Sequence, residues 1–201
     1  MRFKPGHKEE TRLRMLDAAA QHVRRRGPDG VAIAEVMAEA GVTVGAFYKH
    51  FESREAIVQQ AIDHMYTTSP APLLMPDAAE TPQAVLRGFL DYYLSVEHRD
   101  TRTGGCPLPF LTADAIRLPQ AARQRLSNAL NAVIDLVAGH IAAMKPLDLE
   151  GTPHQIAASV TAEVIGAVIL ARAEVDPERS ARLLGDSKAA ILRRMGLGTP
   201  A

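Results

Sequence analysis

Five proline junctions constrain this chain more than any other feature. Thr81-Pro82, Cys106-Pro107, Leu118-Pro119, Thr152-Pro153 and Asp176-Pro177 each stand before a run whose apolar residues return every three or four positions. Proline lacks an N–H and holds φ near −65°, which a first helical position tolerates and a helix interior or central strand does not. The junctions therefore predict five helices after residue 80. No stretch shows the period-two alternation of a half-buried strand, alanine is abundant, and aromatics are only 4% of residues. That balance favours an all-α chain, with about nine helices in total.

The N-terminal third predicts the remainder. A first helix from Lys8 to Arg26 turns Leu16, Ala19, Ala20 and Val23 inward and stops at Gly27-Pro28. A short second helix carries Ile33, Val36, Met37 and Ala40 on one stripe and ends at Gly41. Gly41 to Phe51 then reads as a turn and a short helix. Val42, Phe47 and Phe51 share its inner face, while Thr43, Val44, Gly45, Ala46, Lys49 and His50 point outward. Small side chains permit close approach, and N–H groups behind a Thr cap favour phosphate, so the suggested partner is a DNA groove. Ser53 caps a fourth helix with Ile57, Ala61, Ile62 and Met65 inward. Arg54 stands in its first turn, where a cation opposes the helix dipole by a few tenths of a kcal/mol, so a function is expected of it.

Ala40-Gly41-Val42-Thr43, Phe47-Tyr48-Lys49-His50-Phe51 and Ser53-Arg54-Glu55 resemble the helix-turn-helix of the tetracycline-repressor (TetR) family of bacterial regulators. The register holds from Met15-Leu16 through Ile57, about the first third of the chain. The resemblance implies a helix-turn-helix domain over residues 1-66 and a ligand-binding and dimerisation bundle over 67-201. It implies that Tyr48, Lys49 and Arg54 touch the DNA backbone and that Thr43, Val44, Gly45 and Ala46 face the bases. Thr43 is also in reach of phosphate, His50 lies on the same face, and Lys4, Lys8 and Arg12 make auxiliary contacts. Three positions depart from the family. Val31-Ala32 replaces a capping Thr or Ser, Val23 replaces a Phe, and Val36-Met37 replaces Ile-Ala. The first removes a phosphate contact; the others together conserve core volume. The run Arg24-Arg25-Arg26 reads either as a phosphate clamp or as ordinary cations in a last helical turn.

Residues 67–80, with Ser69-Pro70, Ala71-Pro72 and Met75-Pro76, cannot continue a helix and mark the domain boundary. Beyond it, the first helix carries Val85, Phe89, Tyr92 and Val96, with Tyr93 beside them, and the second carries Leu108, Phe110 and Leu111. Residues 97–105 between them read as a polar loop. The third runs to Met144 with Leu126, Leu130, Val133, Val137 and Ile141, closed by Lys145-Pro146. The fourth, residues 152–174, is apolar or small on nearly every side, so it needs covering on two sides. A second copy of the chain can supply one cover, with Val164, Ile165, Val168, Ile191 and Met195 at the interface and Gly166 permitting close approach. A central helix of a monomeric bundle has the same periodicity. A two-fold dimer sets two recognition helices roughly 34–36 Å apart, which calls for a palindromic operator. The resemblance further implies release by a small effector, lined here by Phe89, Tyr92, Tyr93, Cys106, Phe110, Val137, Ile141 and Val168.

Other classes find little support. Lysine plus arginine and aspartate plus glutamate each number 23, so overall charge is silent on nucleic acid and the argument rests on the local face. No nucleophile, base and carboxylate arrangement or phosphate-binding glycine loop occurs, which speaks against an enzyme. The seven histidines fall in no ligand spacing, so neither metal nor cofactor is expected. A helical ligand carrier would explain the C-terminal half and leave the exposed small-residue helix and Arg54 unexplained. No run approaches the roughly 18 uninterrupted apolar residues of a membrane span, and the first ten residues lack an apolar signal core, so the expected location is the cytoplasm. The single cysteine, Cys106, excludes an intrachain disulfide; it reads as a pocket-wall residue or as a thiol that senses electrophiles or oxidants.

Overall fold

The computed structural model describes residues 7–68, 81–101, 104–144 and 150–198. The 67–80 boundary segment beyond Thr68, Lys4 and the closing pair Lys145-Pro146 lie outside these. The described residues contain ten α-helices and no strand: α1 (His7–Arg26), α2 (Ile33–Glu39), α3 (Val44–Phe47), α4 (Arg54–Thr68), α5 (Pro82–Tyr93), α6 (Val96–Asp100), α7 (Leu108–Ala113), α8 (Gln120–Ala143), α9 (Pro153–Ala173) and α10 (Pro177–Arg194). Short 3-10 turns occupy Pro28–Gly30 and Ala115–Arg117. Two compact units result, one of Met1–Ser69 with Phe110–Leu126, the other of Pro70–Pro109 with Ser127–Ala201.

The proline junctions act through their caps. Thr81 accepts from the Ala84 N–H at 3.2 Å, Asp176 from Arg179 at 2.8 Å, and Thr152 forms a capping box with Gln155. Pro82, Pro153 and Pro177 are each the first residue of their helix, where the absent N–H has no intrahelical partner to lose. The helix that the sequence does not announce is α6, inside the span expected as loop. Ser95 caps it through the His98 N–H at 3.0 Å, so one hydroxyl suffices to nucleate five residues between polar neighbours.

In the first unit α1 lies along α4 and α2, and Met15, Ala19, Val23, Val36, Met37, Phe47, Ile57, Ala61 and Ile62 form a closed core. Val23, Val36 and Met37 are all fully covered, so the residues that depart from the family pattern fill their core without leaving surface exposed. In the second unit α9 packs against α10, α6 and α5. Its Val160, Val164 and Val168 are buried, with Phe89 and Leu90 of α5 and Leu184 and Ile191 of α10. By length and composition α8 and α9 could cross a bilayer; in α9 that composition serves the core.

His98 is a buried histidine that periodicity does not flag. Its ring lies 4.7 Å from that of Tyr93 and 5.0 Å from that of Tyr92, and Nδ1 is 2.9 Å from the Tyr93 carbonyl. A carbonyl only accepts, so Nδ1 carries the proton and Nε2, which has no partner among the described residues, is left as an acceptor. Burial pushes the pKa down, against a smaller upward pull from the Tyr93 carbonyl, with the Arg172 charge adding to the depression. The unfolded chain then takes up a proton near pH 6.5 that the folded chain refuses. Stability is expected to fall as pH drops below about 6.5 through the folded pKa. Urea melts between pH 7.5 and 5 test this, and the decline should shrink in His98→Phe.

Candidate nucleic-acid interface

The turn between α2 and α3 depends on Gly41, whose φ of 68° is the left-handed conformation that side chains resist. Its N–H donates to Ala38 O at 3.1 Å and that of Val42 to Met37 O at 3.0 Å, closing the end of α2. The chain therefore leaves α2 and enters α3 with Phe47 and Phe51 buried, their rings stacked at 5.7 Å. That anchor decides what faces out. Thr43, Val44, Gly45, Tyr48 and Lys49 are exposed, Tyr48 by 70%, and Ala46 and His50 are half-buried. Thr43 does stand at the start of α3, but its hydroxyl caps nothing; the Ala46 N–H bonds the Thr43 carbonyl instead, at 2.9 Å. The expected Thr cap is thus replaced by an outward hydroxyl. Ala32, at the start of α2, likewise makes no side-chain cap, in keeping with the absent Thr or Ser.

The basic residues divide into two groups. Lys8 and Lys49 are exposed and, with Arg12, lie close enough to act on His50. Burial and those cations hold the His50 imidazole below its usual pKa, leaving a neutral ring at neutral pH. Arg12 itself lies 5.3 Å over the Phe51 ring and hydrogen-bonds Gln60 of α4. Arg54 is the larger surprise. Its Nε donates to Val31 O at 2.9 Å, and its Nη2 to Pro28 O at 2.8 Å and Asp29 O at 2.6 Å. The guanidinium expected at a phosphate is committed to the turn between α1 and α2, because three carbonyls left by that turn have no helical donors. Nor does the arginine run form a clamp. Arg25 bonds Glu39 at 2.7 Å, Arg26 bonds Glu35, and Arg24 lies 5.6 Å over Phe110.

Of the residues expected around an effector, the second unit brings Phe89, Tyr92 and Tyr93 into one aromatic cluster with His98. Val137, Ile141 and Val168 are buried, and Cys106 is covered as well, 8% exposed. Phe110 falls in the first unit, its ring 5.6 Å below the Arg24 guanidinium. The residues expected at a dimer interface are covered to differing extents within one chain. Val164, Val168, Ile191 and Met195 are all covered within one chain, and Ile165 nearly so, because α9 and α10 pack those faces against their own neighbours. What α9 and α10 leave open is Leu170, 59% exposed, and Leu183, 36% exposed, with Gly166 and Ile169 half-covered beside them. His98 was missed in the sequence; its one signal was the cap spacing Ser95 to His98.

Residues 15–61 match the family model described as bacterial regulatory proteins, tetR family, and residues 82–185 match the tetracyclin repressor-like, C-terminal domain. TtgR, an HTH-type transcriptional regulator of Pseudomonas putida, is 35% identical over 60 residues, 30% of this chain and 29% of that protein, so this chain spans under a third of it. An uncharacterized HTH-type transcriptional regulator of Mycobacterium tuberculosis is 28% identical over 179 residues, covering 82% of this chain and 86% of its own. Among solved structures, the reduced form of NemR from E. coli superposes with a TM-score of 0.78 at 23% identity, over 95% of this chain and 98% of that one. A TetR-family regulator from Agrobacterium tumefaciens gives 0.79 at 20%, over 94% and 98%. At those identities the structures speak for the fold.

Proposed function

The chain belongs to the tetR family of bacterial regulatory proteins, and from that premise we propose that it is a homodimeric repressor, released from a palindromic operator by a small apolar or electrophilic effector. The family is one of DNA-binding transcriptional regulators, not enzymes. One observation carries the proposal: α3 buries Phe47 and Phe51 and turns Thr43, Val44, Gly45, Tyr48 and Lys49 to solvent. Residues 1-66 read the operator, with Lys8, Tyr48 and Lys49 on phosphates, His50 and Arg12 beside them, and Thr43 to Ala46 over the bases. Arg54 serves by holding the turn on which α2 and α3 are oriented. A chromosomal operator puts the protein in the cytoplasm.

Residues 67-201 bind the effector and form the dimer. The open stripe Ala162, Gly166, Ile169, Leu170 and Ala173 of α9 recurs at helical spacing, and Leu183 continues it on α10; a second copy related by a two-fold axis is the self-complementary cover. The effector enters among Phe89, Tyr92, Tyr93, Val137 and Ile141, where Cys106 is the thiol an electrophile meets. It acts by favouring a dimer whose α3 helices no longer match successive major grooves. Within the first unit, Arg125 of the N-terminal part of α8 pairs with Asp63 of α4 at 2.8 Å.

Gel-shift titration of the chain against the DNA upstream of its own coding sequence tests the operator. A complex of two chains per duplex that weakens steeply with salt is expected, and apolar compounds that raise the melting temperature should dissolve it. Equal affinity for every duplex, or one chain per duplex, would remove the operator-bound dimer.

A further inference from the structure

The base-facing surface of α3 has an unusual chemistry for a reader of sequence. Discrimination by hydrogen bonding comes chiefly from arginine, lysine, asparagine and glutamine, whose two-pronged bonds separate guanine and adenine from the other bases. Residues 43–46 contain none of these, and two arginines expected to contact DNA have other work: Arg54 is bonded to three carbonyls and Arg12 to Gln60 and the Phe51 ring. The largest apolar side chain among residues 43–46 is that of Val44, a residue 45% exposed. One major-groove group matches it, the C5 methyl of thymine.

Gly45 adds an independent observation. Its backbone is ordinary right-handed helix, and a Cβ placed there would meet only the Thr43 hydroxyl, at 3.9 Å. Neither conformation nor packing calls for glycine, and glycine weakens a helix relative to alanine. A residue that the fold does not need, at the centre of the face that meets DNA, answers to the partner: it lets the backbone of α3 approach the groove.

Resting on the operator reading above, we infer that Val44 selects the operator by packing on a thymine methyl in each half-site, with Gly45 setting the close approach that brings it there. No side chain of residues 43–46 offers the two-pronged bonds that single out guanine or adenine, so Val44 carries the discrimination there.

The test uses the full chain and a duplex selected from a randomised pool. Deoxyuridine replaces each thymine in turn, which keeps pairing and O4 and removes only the methyl. One thymine per half-site should lose about fourfold in affinity when so replaced, the equivalent of one buried methyl-sized group. Val44→Ala should bind thymine and uracil operators equally, with unchanged helical content since the side chain is exposed. Gly45→Ala should melt no lower than the parent and bind the selected duplex at least tenfold more weakly. Deoxyuridine tolerated at every position, or a Val44→Ala protein with the full thymine preference, overturns the inference while leaving the operator intact. A pool from which no duplex is enriched overturns the operator reading itself, and this inference with it.

Discussion

Val168→Asp is expected to unfold the second unit, whereas Leu170→Asp, two residues along the same helix, is expected to give a folded monomer. Val168 is fully covered inside one chain, so aspartate there is an unpaired charge in an apolar core. An uncompensated buried charge costs about 3–5 kcal/mol, against a total stability of roughly 5–15 kcal/mol. Leu170 is 59% exposed in the isolated chain, where a carboxylate keeps its water. Only a second chain laid over α9 would strip that water away. Circular dichroism with denaturant melts reads the first variant and sedimentation the second. A Leu170→Asp protein that sediments as the parent dimer would place the interface elsewhere, and a Val168→Asp protein with a normal melt would contradict the packing of α9.

The second large effect separates two cations five residues apart that look interchangeable. Arg54→Ala should lower stability by about 2–4 kcal/mol, because Pro28, Asp29 and Val31 lose a charged donor. Its loss of operator binding should track unfolding, and the salt dependence of what remains folded should keep the parent slope. Lys49→Ala should do the reverse. Lys49 is exposed on the α3 face, so the melt stays within about 0.5 kcal/mol of the parent, while the slope of log affinity against log salt flattens by about one unit per half-site. A flattened slope in Arg54→Ala with an unaltered melt would return that arginine to the phosphates.

Comparing residues with their outcomes shows how far local information reaches. Thr81, Thr152 and Asp176 cap helices within three residues of themselves, and Gly41 ends α2 by its own φ. Such features are legible because cause and effect lie in one turn of chain. Phe47 and Phe51, four apart on one face, are legible for the same reason, and they orient the exposed side of α3. α6 escaped because its cap spacing competes with a polar composition that reads equally well as loop.

The sequence by itself determined an all-helical chain, the order of its principal helices and the face of α3 left open to solvent, because proline stereochemistry, capping and periodicity act over at most a few residues. Tertiary structure alone decided where the long cations and the apolar stripes end up. Arg54 finds carbonyls 23 to 26 positions away and Arg12 a glutamine 48 positions away. No spacing rule encodes such partners, since a flexible side chain takes whichever acceptor the fold leaves unsatisfied. Val168 and Leu170 are equally apolar in the sequence, yet one is sealed within the chain and the other open. Hydrophobicity states that a face seeks cover; which element covers it, or whether a second chain must, depends on the packing of helices far apart in sequence.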